Sequence, residues 1–312
     1  MRNETKKLPK MIVVLGPTAC GKTSWSLRLS KEFNGEVVSA DSRQVFKYMN
    51  VGTAKEPGEW KRNSLRKSYV IDGVIHHLID FLNPGKTFTV AEFRDKAIKY
   101  AKIAHKAGRI PMLVGGTGLY LSSVIDNFHI PRIPPHKKMR RSLEEKNKEQ
   151  LLKLLQTLDP KATETIDVNN KRRLIRALEV TIISGIPFSE QKKKGEQLFD
   201  VLQIGIDVPR ETLYDRIDTR VDQMMEEGLL DEIKFLLRKK YHWDLSSMKG
   251  IGYQEFRKYF EEEEPIEIAV ERLKKNTRQY ARRQGTWFRR DERIQWCVDY
   301  EEAEKLVRDF LA

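Results

Sequence analysis

The stretch that decides the fold is MIVVLGPTACGKT, residues 11–23. Its first five residues are apolar and rich in β-branched side chains, which is typical of a buried parallel strand. Gly16–Thr23 then match G-x-x-x-x-G-K-[ST], the pattern of a phosphate-binding loop between a strand and a helix. The helix is expected next, because Trp25, Leu29 and Phe33 repeat every four residues, and Gly35 is expected to end it in a left-handed conformation.

The loop pattern predicts a site for a di- or triphosphate. Its backbone N–H groups and the helix N-terminus favour an anion, Lys22 supplies a positive charge, and the Thr23 hydroxyl can hold Mg²⁺. A nucleotidase, a kinase and an enzyme that uses another diphosphate all remain open at this point. The predicted diphosphate ligands are Gly16, Pro17, Thr18, Ala19, Cys20, Gly21, Lys22 and Thr23.

Two further strands are predicted to end beside this loop. Residues 36–40 lead into Asp41, and residues 110–114 lead into Gly115-Gly116-Thr117. Between them, Thr89 and Glu92 form a capping-box pattern at a helix start, and Gly108 is placed to end that helix. Because ligands bind at the carboxyl ends of such strands, the chain is predicted to have an α/β fold, with a phosphate-loop NTPase-like parallel sheet flanked by helices.

Asp41 is the most informative acid at this edge of the sheet. A carboxylate at a strand end can hold Mg²⁺, can act as a catalytic base, or can cap a turn. The residue pattern alone leaves these three roles open.

An inserted all-helical domain is predicted in the middle of the chain. After a Pro-rich turn, residues 125–199 are charged and helix-periodic, and residues 201–206 are interpreted as a strand that returns to the sheet. The catalytic core would then comprise residues 8–124 and 200–312. Pro209 is expected to open a long helix with Leu213, Ile217 and Val221 on one face, and another helix is expected from about Pro265 to Gln284.

The charge of the chain favours a polyanionic partner such as nucleic acid. The 312 residues include 58 Lys and Arg against 45 Asp and Glu, a formal charge of +13. Residues 272–290 hold eight of the basic residues and no acid, a density typical of phosphate contacts. Arg172, Arg173 and Arg176 lie on a helix whose other face is expected to carry Leu174, Leu178 and Ile182.

The compartment is expected to be the cytoplasm. The two cysteines, Cys20 and Cys297, are too few for a disulfide framework. No stretch is long and apolar enough to span a membrane, and the polar start lacks the apolar core of a signal peptide.

Taken together, these segments resemble the tRNA dimethylallyltransferases, which prenylate adenosine in tRNA. The similar blocks lie in the family order from about residue 11 to residue 290. They are Gly16–Thr23, Ser39–Val45, Gly52–Lys55, His77–Asp80, Gly115–Tyr120, Arg173–Glu179, Arg216–Val221, Gly252-Tyr253 and Arg282–Arg289.

The resemblance implies transfer of a dimethylallyl group from its diphosphate to the N6 amine of the adenosine 3′ to the anticodon. Diphosphate is the leaving group, Mg²⁺ is the implied cofactor, and ATP is not needed. Asp41 is the implied base, Thr117 the threonine that contacts the reacting nucleotide or the diphosphate, and Arg220 the diphosphate-contacting arginine. Arg216, one turn earlier, shares the face of Arg220.

The implied partner is the anticodon stem-loop of tRNA, clamped by the helical insertion, and the protein is expected to be a monomer. The residues assigned to tRNA binding are Asp41, Ser42, Arg43, Gln44, Thr117, Arg140, Arg172, Arg173, Arg176, Arg282, Arg283, Gln284 and Arg289. His76 and His77 are expected to be structural.

Three features depart from the family pattern. The segment between Lys55 and His77 is longer than usual and is expected to be a basic loop, with Lys61, Arg62, Arg66 and Lys67, that adds RNA contacts or none. Tyr48-Met49-Asn50 replaces a common Gly-Met-Asp. The family arginine near the start of the insertion is aligned with Arg140 rather than Arg141.

Two other functions compete with prenyl transfer. A phosphate-loop NTPase or nucleoside kinase would use Asp41 to hold Mg²⁺ and would consume a nucleoside triphosphate. An RNA-binding protein that has lost catalysis would keep only the basic surfaces. The presence of Lys22, Thr23, Asp41 and Thr117 argues against the loss of catalysis.

Overall fold

The computed structural model describes residues 7–63, 66–191 and 194–312 of the chain. Residues 64–65 of the basic segment and 192–193 of the helical insertion lie outside this part, as do the side chains of Asn63 and Arg66. The chain divides into two compact units. A core unit contains residues 1–125 and 198–312, and a helical unit contains residues 126–197.

The core unit is built on one eight-stranded sheet in the order β3-β4-β5-β2-β6-β1-β7-β8. The strands from β5 to β8 in this order run parallel, whereas β3 and β4 pair antiparallel at one edge. The predicted parallel sheet is therefore confirmed, with an added antiparallel hairpin. The strands are β1 (Lys10–Leu15), β2 (Gly35–Ser39), β3 (Glu59–Asn63), β4 (Arg66–Ile71), β5 (Val74–His77), β6 (Ile110–Gly115), β7 (Asp200–Ile206) and β8 (Ile294–Cys297).

Helices cover the sheet and form the second unit. They are α1 (Lys22–Glu32), α2 (Val90–Lys106), α3 (Gly118–Ile125), α4 (Lys137–Glu144), α5 (Lys148–Leu158), α6 (Pro160–Thr165), α7 (Lys171–Ser184), α8 (Phe188–Gln191), α9 (Arg210–Glu226), α10 (Leu229–Arg238), α11 (Arg257–Glu261), α12 (Ile266–Phe288) and α13 (Tyr300–Leu311). None of the described helices combines the length and apolar composition needed to cross a bilayer.

The central strand β1 contributes to a hydrophobic core on each face of the sheet. Met11, Val13 and Leu15 pack into the core beneath α2 and α3, whereas Ile12 and Val14 pack into the core that α1 and α13 cover. A strand alternates its side chains between faces, so a continuous apolar run is what a sheet covered on both sides requires.

The end of α1 differs from the expectation. Helix α1 stops at Glu32, and the left-handed residue is Asn34, with φ 50°, rather than Gly35, which begins β2. Asn is one of the few non-glycine residues that adopt this conformation readily. Its side-chain amide donates to the carbonyl of Gly108 at 3.2 Å, which ties the end of α1 to the end of α2. The start of α2 is as predicted, with a complete capping box between Thr89 and Glu92.

The basic segment between Lys55 and His77 is not a loop. Strands β3 and β4 form a hairpin that extends the sheet, with Trp60 opposite Tyr69 and Arg62 opposite Lys67. Alternating apolar residues such as Tyr69 and Ile71, both buried, are what a half-buried strand needs. The basic residues on the same strands concealed this period in the sequence.

The helical unit contains α4 to α8 around its own core of Leu151, Leu155, Leu174 and Leu178. Leu174 and Leu178 are fully buried on α7 as predicted, but Ile182 is 47% exposed, so it is not part of that buried face. The unit begins at Asp126 and ends at Gln197, within two residues of the limits expected for the insertion.

Candidate active site

The phosphate-binding loop connects β1 to α1 with the geometry of an anion site. Gly21 caps α1 in a left-handed conformation, and the first turn of the helix contains no acidic residue. The positive end of the helix therefore faces the loop without a competing carboxylate. Lys22 extends its ammonium group across the loop and donates to the carbonyl of Pro17 at 2.6 Å.

Gln284 of α12 ties the loop to the end of β6. Its Oε1 accepts a hydrogen bond from the N–H of Thr18 at 2.9 Å, and its Nε2 donates to the carbonyl of Gly116 at 2.8 Å. The side chain is buried, and a Cβ at Gly116 would lie 2.2 Å from Nε2, so residue 116 must be glycine for this approach. Gln284 therefore positions the loop, and its assignment to tRNA binding stays a prediction.

Asp41 follows β2 and uses one carboxylate oxygen to fix the turn that begins there. Its Oδ1 accepts from the N–H groups of Arg43 at 2.7 Å and Gln44 at 3.2 Å. No described residue donates a hydrogen bond to Oδ2 in the structure, and Asp41 lines a cavity. Oδ1 thus caps the turn, and Oδ2 is left without a hydrogen-bond donor among the described residues.

Thr117 lies next to this turn. Its Oγ1 accepts from the N–H of Ser42 at 3.2 Å, and its own N–H donates to the carbonyl of Ala40 at 3.3 Å. Tyr280 of α12 lies close to the side chain of Thr117. Burial, and secondarily the charge of Asp41, raise the pKa of Tyr280 to about 12, so its hydroxyl stays protonated at neutral pH.

Tyr280, which lines both cavities beside Asp41, was not predicted from the sequence as a site residue. A signal was present, because Tyr280 and Gln284 are four residues apart on a predicted helix and so share a face.

Arg216 and Arg220 project from α9 toward the same region. Both line the cavity beside the phosphate loop, and Nη2 of Arg220 lies 3.5 Å from the carbonyl of Ala54. Burial lowers the pKa of Arg220, while the charges of Glu56 and Asp41 oppose this shift. Asp218, one possible partner for these arginines, pairs instead with Arg278.

Two cavities meet at Asp41. The first, of about 410 Å³, is lined by the phosphate loop, Arg216 and Gln223. The second, of about 320 Å³, is lined by Ser42, Arg43 and the more apolar Met224 and Leu273. The residues that line both are Thr18, Asp41, Thr53, Arg220 and Tyr280. The arrangement can therefore hold an anion on one side of Asp41 and a flat, partly apolar group on the other.

Comparison with known proteins assigns the family. Residues 44–291 match the model of the IPP transferase family. A tRNA dimethylallyltransferase of Roseiflexus castenholzii is 45% identical over 284 residues, which cover 90% of both chains, and one of Acetivibrio thermocellus is 39% identical over 311 residues, covering 97% of this chain and 96% of that protein. The chain belongs to the tRNA dimethylallyltransferase family.

Solved structures agree with this family assignment. The crystal structure of the full-length tRNA isopentenylpyrophosphate transferase from Bacillus halodurans is 40% identical, with a TM-score of 0.68 over 97% of this chain and 95% of that one. A eukaryotic dimethylallyltransferase acting on tRNA is 28% identical, with a TM-score of 0.76 over 97% of this chain and 77% of that one.

Several blocks shared with the dimethylallyltransferases shape the cavity walls. The buried ammonium of Lys55 bonds to Asp80 Oδ1 at 2.8 Å, which joins the blocks Gly52–Lys55 and His77–Asp80. The carboxylate of Glu232 accepts the N–H groups of residues 50, 51 and 52 and the hydroxyl of Tyr253. These bonds hold the segment that follows the Asp41 turn.

The Tyr48 turn explains one departure from the family pattern. Tyr48 has φ 66°, a left-handed conformation in which glycine is unstrained, and its ring packs edge-on against Phe235 at 5.7 Å. The glycine usual in dimethylallyltransferases thus suits the backbone there, and Tyr48 adopts the same conformation.

His76 and His77 make structural contacts. Burial lowers the pKa of His76 to about 4, so its ring is neutral, and its Nδ1 lies 3.0 Å from the carbonyl of Val74. His77 pairs through Nε2 with Glu36 at 2.7 Å and stacks on Tyr100.

Tertiary pairing divides the basic residues between 272 and 290 into two groups. Four of the eight basic residues between 272 and 290 make ion pairs: Arg272 with Glu264, Lys274 with Asp222, Arg278 with Asp218 and Arg289 with Asp207. Lys275, Arg282, Arg283 and Arg290 make no ion pair with any described residue. Arg282 and Arg283 are exposed and adjoin Tyr280 and Gln284 in the sequence.

In the helical unit, Arg140 and Arg176 converge on the fully buried Glu179. Arg140 makes a bidentate contact through Nε at 2.9 Å and Nη2 at 2.7 Å, and Arg176 Nη1 donates at 2.7 Å. Burial would raise the pKa of Glu179, but these bonds and one from the N–H of His136 lower it to about 2. Both arginines thus hold the unit together, whereas Arg172 and Arg173 are exposed.

Proposed function

We propose that this chain transfers a dimethylallyl group from dimethylallyl diphosphate to the N6 amine of the adenosine 3′ to the anticodon of tRNA, releasing diphosphate. The observation that carries the proposal is the meeting of two cavities at Asp41, one beside the phosphate loop and one beside the Asp41 turn. The names of the relatives, tRNA dimethylallyltransferases, support the choice of donor and acceptor.

The donor diphosphate binds in the first cavity. The N–H groups of the loop and the ammonium of Lys22 hold its oxygens, with Arg216 and Arg220 on the opposite wall. Charge builds on the diphosphate as the bond between its bridging oxygen and the allylic carbon breaks. Preorganised cations stabilise that charge, since they need no rearrangement during the reaction.

The adenine binds in the second cavity, where its base is flipped out of the anticodon loop. Its N6 amine is a poor nucleophile because the lone pair is delocalised into the ring. Asp41 orients the amine through Oδ2 and accepts its proton as the new N–C bond forms. The hydroxyls of Thr117 and Tyr280 lie beside Asp41 and supply polar contacts to the nucleotide.

Mg²⁺ is the proposed cofactor. No described group of three or more His, Cys, Asp or Glu side chains could hold a metal. The donor set instead fits Mg²⁺ bound by substrate oxygens, water and the Thr23 hydroxyl at the start of α1, since Mg²⁺ keeps several waters and needs few protein ligands. Bound there, the ion would neutralise charge on the leaving diphosphate.

The anticodon stem-loop is the proposed partner. On the core unit, Arg282 and Arg283 are exposed and make no ion pair with any described residue, and on the helical unit Arg172 and Arg173 are exposed. We assign the main phosphate contacts to Arg172, Arg282 and Arg283, because Arg173 shares its charge with Asp167. Arg140 and Arg176 keep only the part of each guanidinium not used by Glu179, and Arg289 shares its charge with Asp207.

The decisive experiment incubates the purified protein with unmodified tRNA, dimethylallyl diphosphate and Mg²⁺. Mass spectrometry of the nucleosides is expected to detect prenylated adenosine. Replacing the donor by ATP should give no change in tRNA mass and no ATP turnover. ATP hydrolysis without prenylation would instead favour the NTPase.

A further inference from the structure

The β3–β4 hairpin is the part of the core that the proposed reaction does not use. It extends the sheet beyond β5, with Tyr69 of β4 opposite His76 of β5. Because β4 runs antiparallel to β5 with Tyr69 opposite His76, the first residues of β4 lie beyond His77, the last residue of β5. Since β5 is parallel to β2, which leads to Asp41, the hairpin projects from the same edge of the sheet as the active site.

One face of the hairpin combines aromatic rings with cations. Trp60 and Tyr69 pair across the strands with ring centroids 5.5 Å apart, and the ammonium of Lys67 lies 5.3 Å from the Trp60 ring. Strand alternation places Arg62, two residues after Trp60, on this face as well. Single-stranded nucleic acids are bound by this combination, in which bases stack on rings and phosphates contact cations.

This face borders a cavity of about 420 Å³ that α2 closes on its other side. The hairpin contributes Trp60, Lys67 and Tyr69, and α2 contributes Lys96, Lys99 and Tyr100. The volume lies in the range of small-ligand sites. Lys67, Lys96 and Lys99 are exposed and have no ion-pair partner among the described residues.

The carboxylates near this cavity already have partners. Asp80 is bonded to Lys55 and to the Trp60 indole, and Asp95 is paired with Arg94. Glu36 is buried and bonded to His77 and Arg109. The three lysines therefore leave a net positive rim around aromatic walls.

We propose that this cavity is a second RNA site, which takes an unpaired nucleotide of the bound tRNA against the half-buried rings of Trp60 and Tyr100 and the adjoining phosphates on Lys67, Lys96 and Lys99. The identity of the RNA as tRNA rests on the proposed function. The cavity shares the lining residues His76 and Ile79 with the first catalytic cavity but contains neither the phosphate loop nor Asp41. It therefore contributes to affinity and not to the chemical step.

The test compares two double variants of α2 that remove equal charge. Lys96→Ala with Lys99→Ala removes the cavity lysines, and Lys102→Ala with Lys106→Ala removes exposed lysines of the same helix that do not line the cavity. Binding of unmodified tRNA is measured over a range of salt concentrations, and prenylation is measured separately. The cavity variant is expected to bind tRNA roughly tenfold more weakly. The slope of log affinity against log salt concentration should become less steep by about two, because each phosphate contact contributes about one to that slope.

The cavity variant should bind a single-stranded oligoribonucleotide more weakly than the wild type does. Both proteins should bind an RNA duplex of equal length with the same affinity. The kcat of prenylation should stay unchanged while KM for tRNA rises. Wild-type affinity in the cavity variant, equal losses in both double variants, or equal losses for duplex RNA would overturn the proposal. If the variants show the expected binding defects but the wild-type protein does not prenylate tRNA, the RNA site is supported and only the proposed reaction is rejected.

Discussion

The side-chain oxygen of Gln284 accepts a hydrogen bond from the N–H of Thr18, at 2.9 Å and across 266 residues of sequence. This bond fixes the phosphate loop against the helix that also carries Tyr280, Arg282 and Arg283. The phosphate loop, the cavity residue Tyr280 and an exposed basic surface are thereby attached to one helix of 23 residues.

Gln284→Ala should impair donor binding more than tRNA binding. The variant leaves the N–H of Thr18 and the carbonyl of Gly116 without their partners, which costs about 1–3 kcal/mol when such groups remain buried. We expect a higher KM for dimethylallyl diphosphate, a lower melting temperature and an unchanged Kd for tRNA. Weaker tRNA binding with an unchanged KM for dimethylallyl diphosphate would contradict this prediction and would indicate that Gln284 contacts the RNA.

Asp41→Asn separates the two functions of the Asp41 side chain. The amide oxygen can still accept from the N–H groups of Arg43 and Gln44, so the turn should be kept, but the group can no longer accept a proton. Single-turnover prenylation is expected to fall by roughly 10²–10⁴, with tRNA affinity unchanged. Asp41→Ala should lose the rate and also about 1 kcal/mol of stability, since it removes the cap. Equal losses of rate and tRNA affinity in Asp41→Asn would contradict the base role.

Arg282→Ala with Arg283→Ala should weaken tRNA binding and lower its salt dependence. Both residues are exposed and lack an ion-pair partner among the described residues, so their charge is available to phosphates. Lys274→Ala with Arg278→Ala is the matched control on the same helix, because Lys274 is already paired with Asp222 and Arg278 with Asp218. A filter-binding series at several salt concentrations should show a smaller slope for the double variant, and an unaltered slope would remove this surface from the interface.

Glu179→Gln should change the acid stability of the protein. The pKa of Glu179 lies at about 2 in the folded chain against an ordinary value of 4.5. A lowered carboxyl pKa adds stability above pH 4.5, and this contribution is lost as the pH falls from 4.5 toward 2. The difference in unfolding free energy between wild type and Glu179→Gln should therefore shrink over this window. Denaturant titrations at several pH values measure it, and a pH-independent difference would reject the charged network with Arg140 and Arg176.

The phosphate site was largely predictable because its information is local. A strand, a glycine-containing loop and a helix start follow one another in residues 11–32, so the sequence contains both the motif and its context. The strand ends at Asp41 and Thr117 were predictable for a related reason, since parallel strands bring their carboxyl ends to one edge. The hairpin at 59–71 was not predictable, because its basic residues masked an apolar alternation that becomes evident only beside β5.

By itself, the sequence determined the phosphate loop with its flanking strand and helix, the strand ends at Asp41 and Thr117, and the inserted helices. Tertiary structure alone decided which of the polar residues are free to act. Gln284 is hydrogen-bonded to Thr18 and Gly116. Arg140 and Arg176 are paired with Glu179, and Arg278 is paired with Asp218, whereas Arg282 and Arg283 remain exposed. The physical reason is that a charge or an amide acts on a substrate only where no partner within the fold has already satisfied it, and those partners lie far away in the sequence.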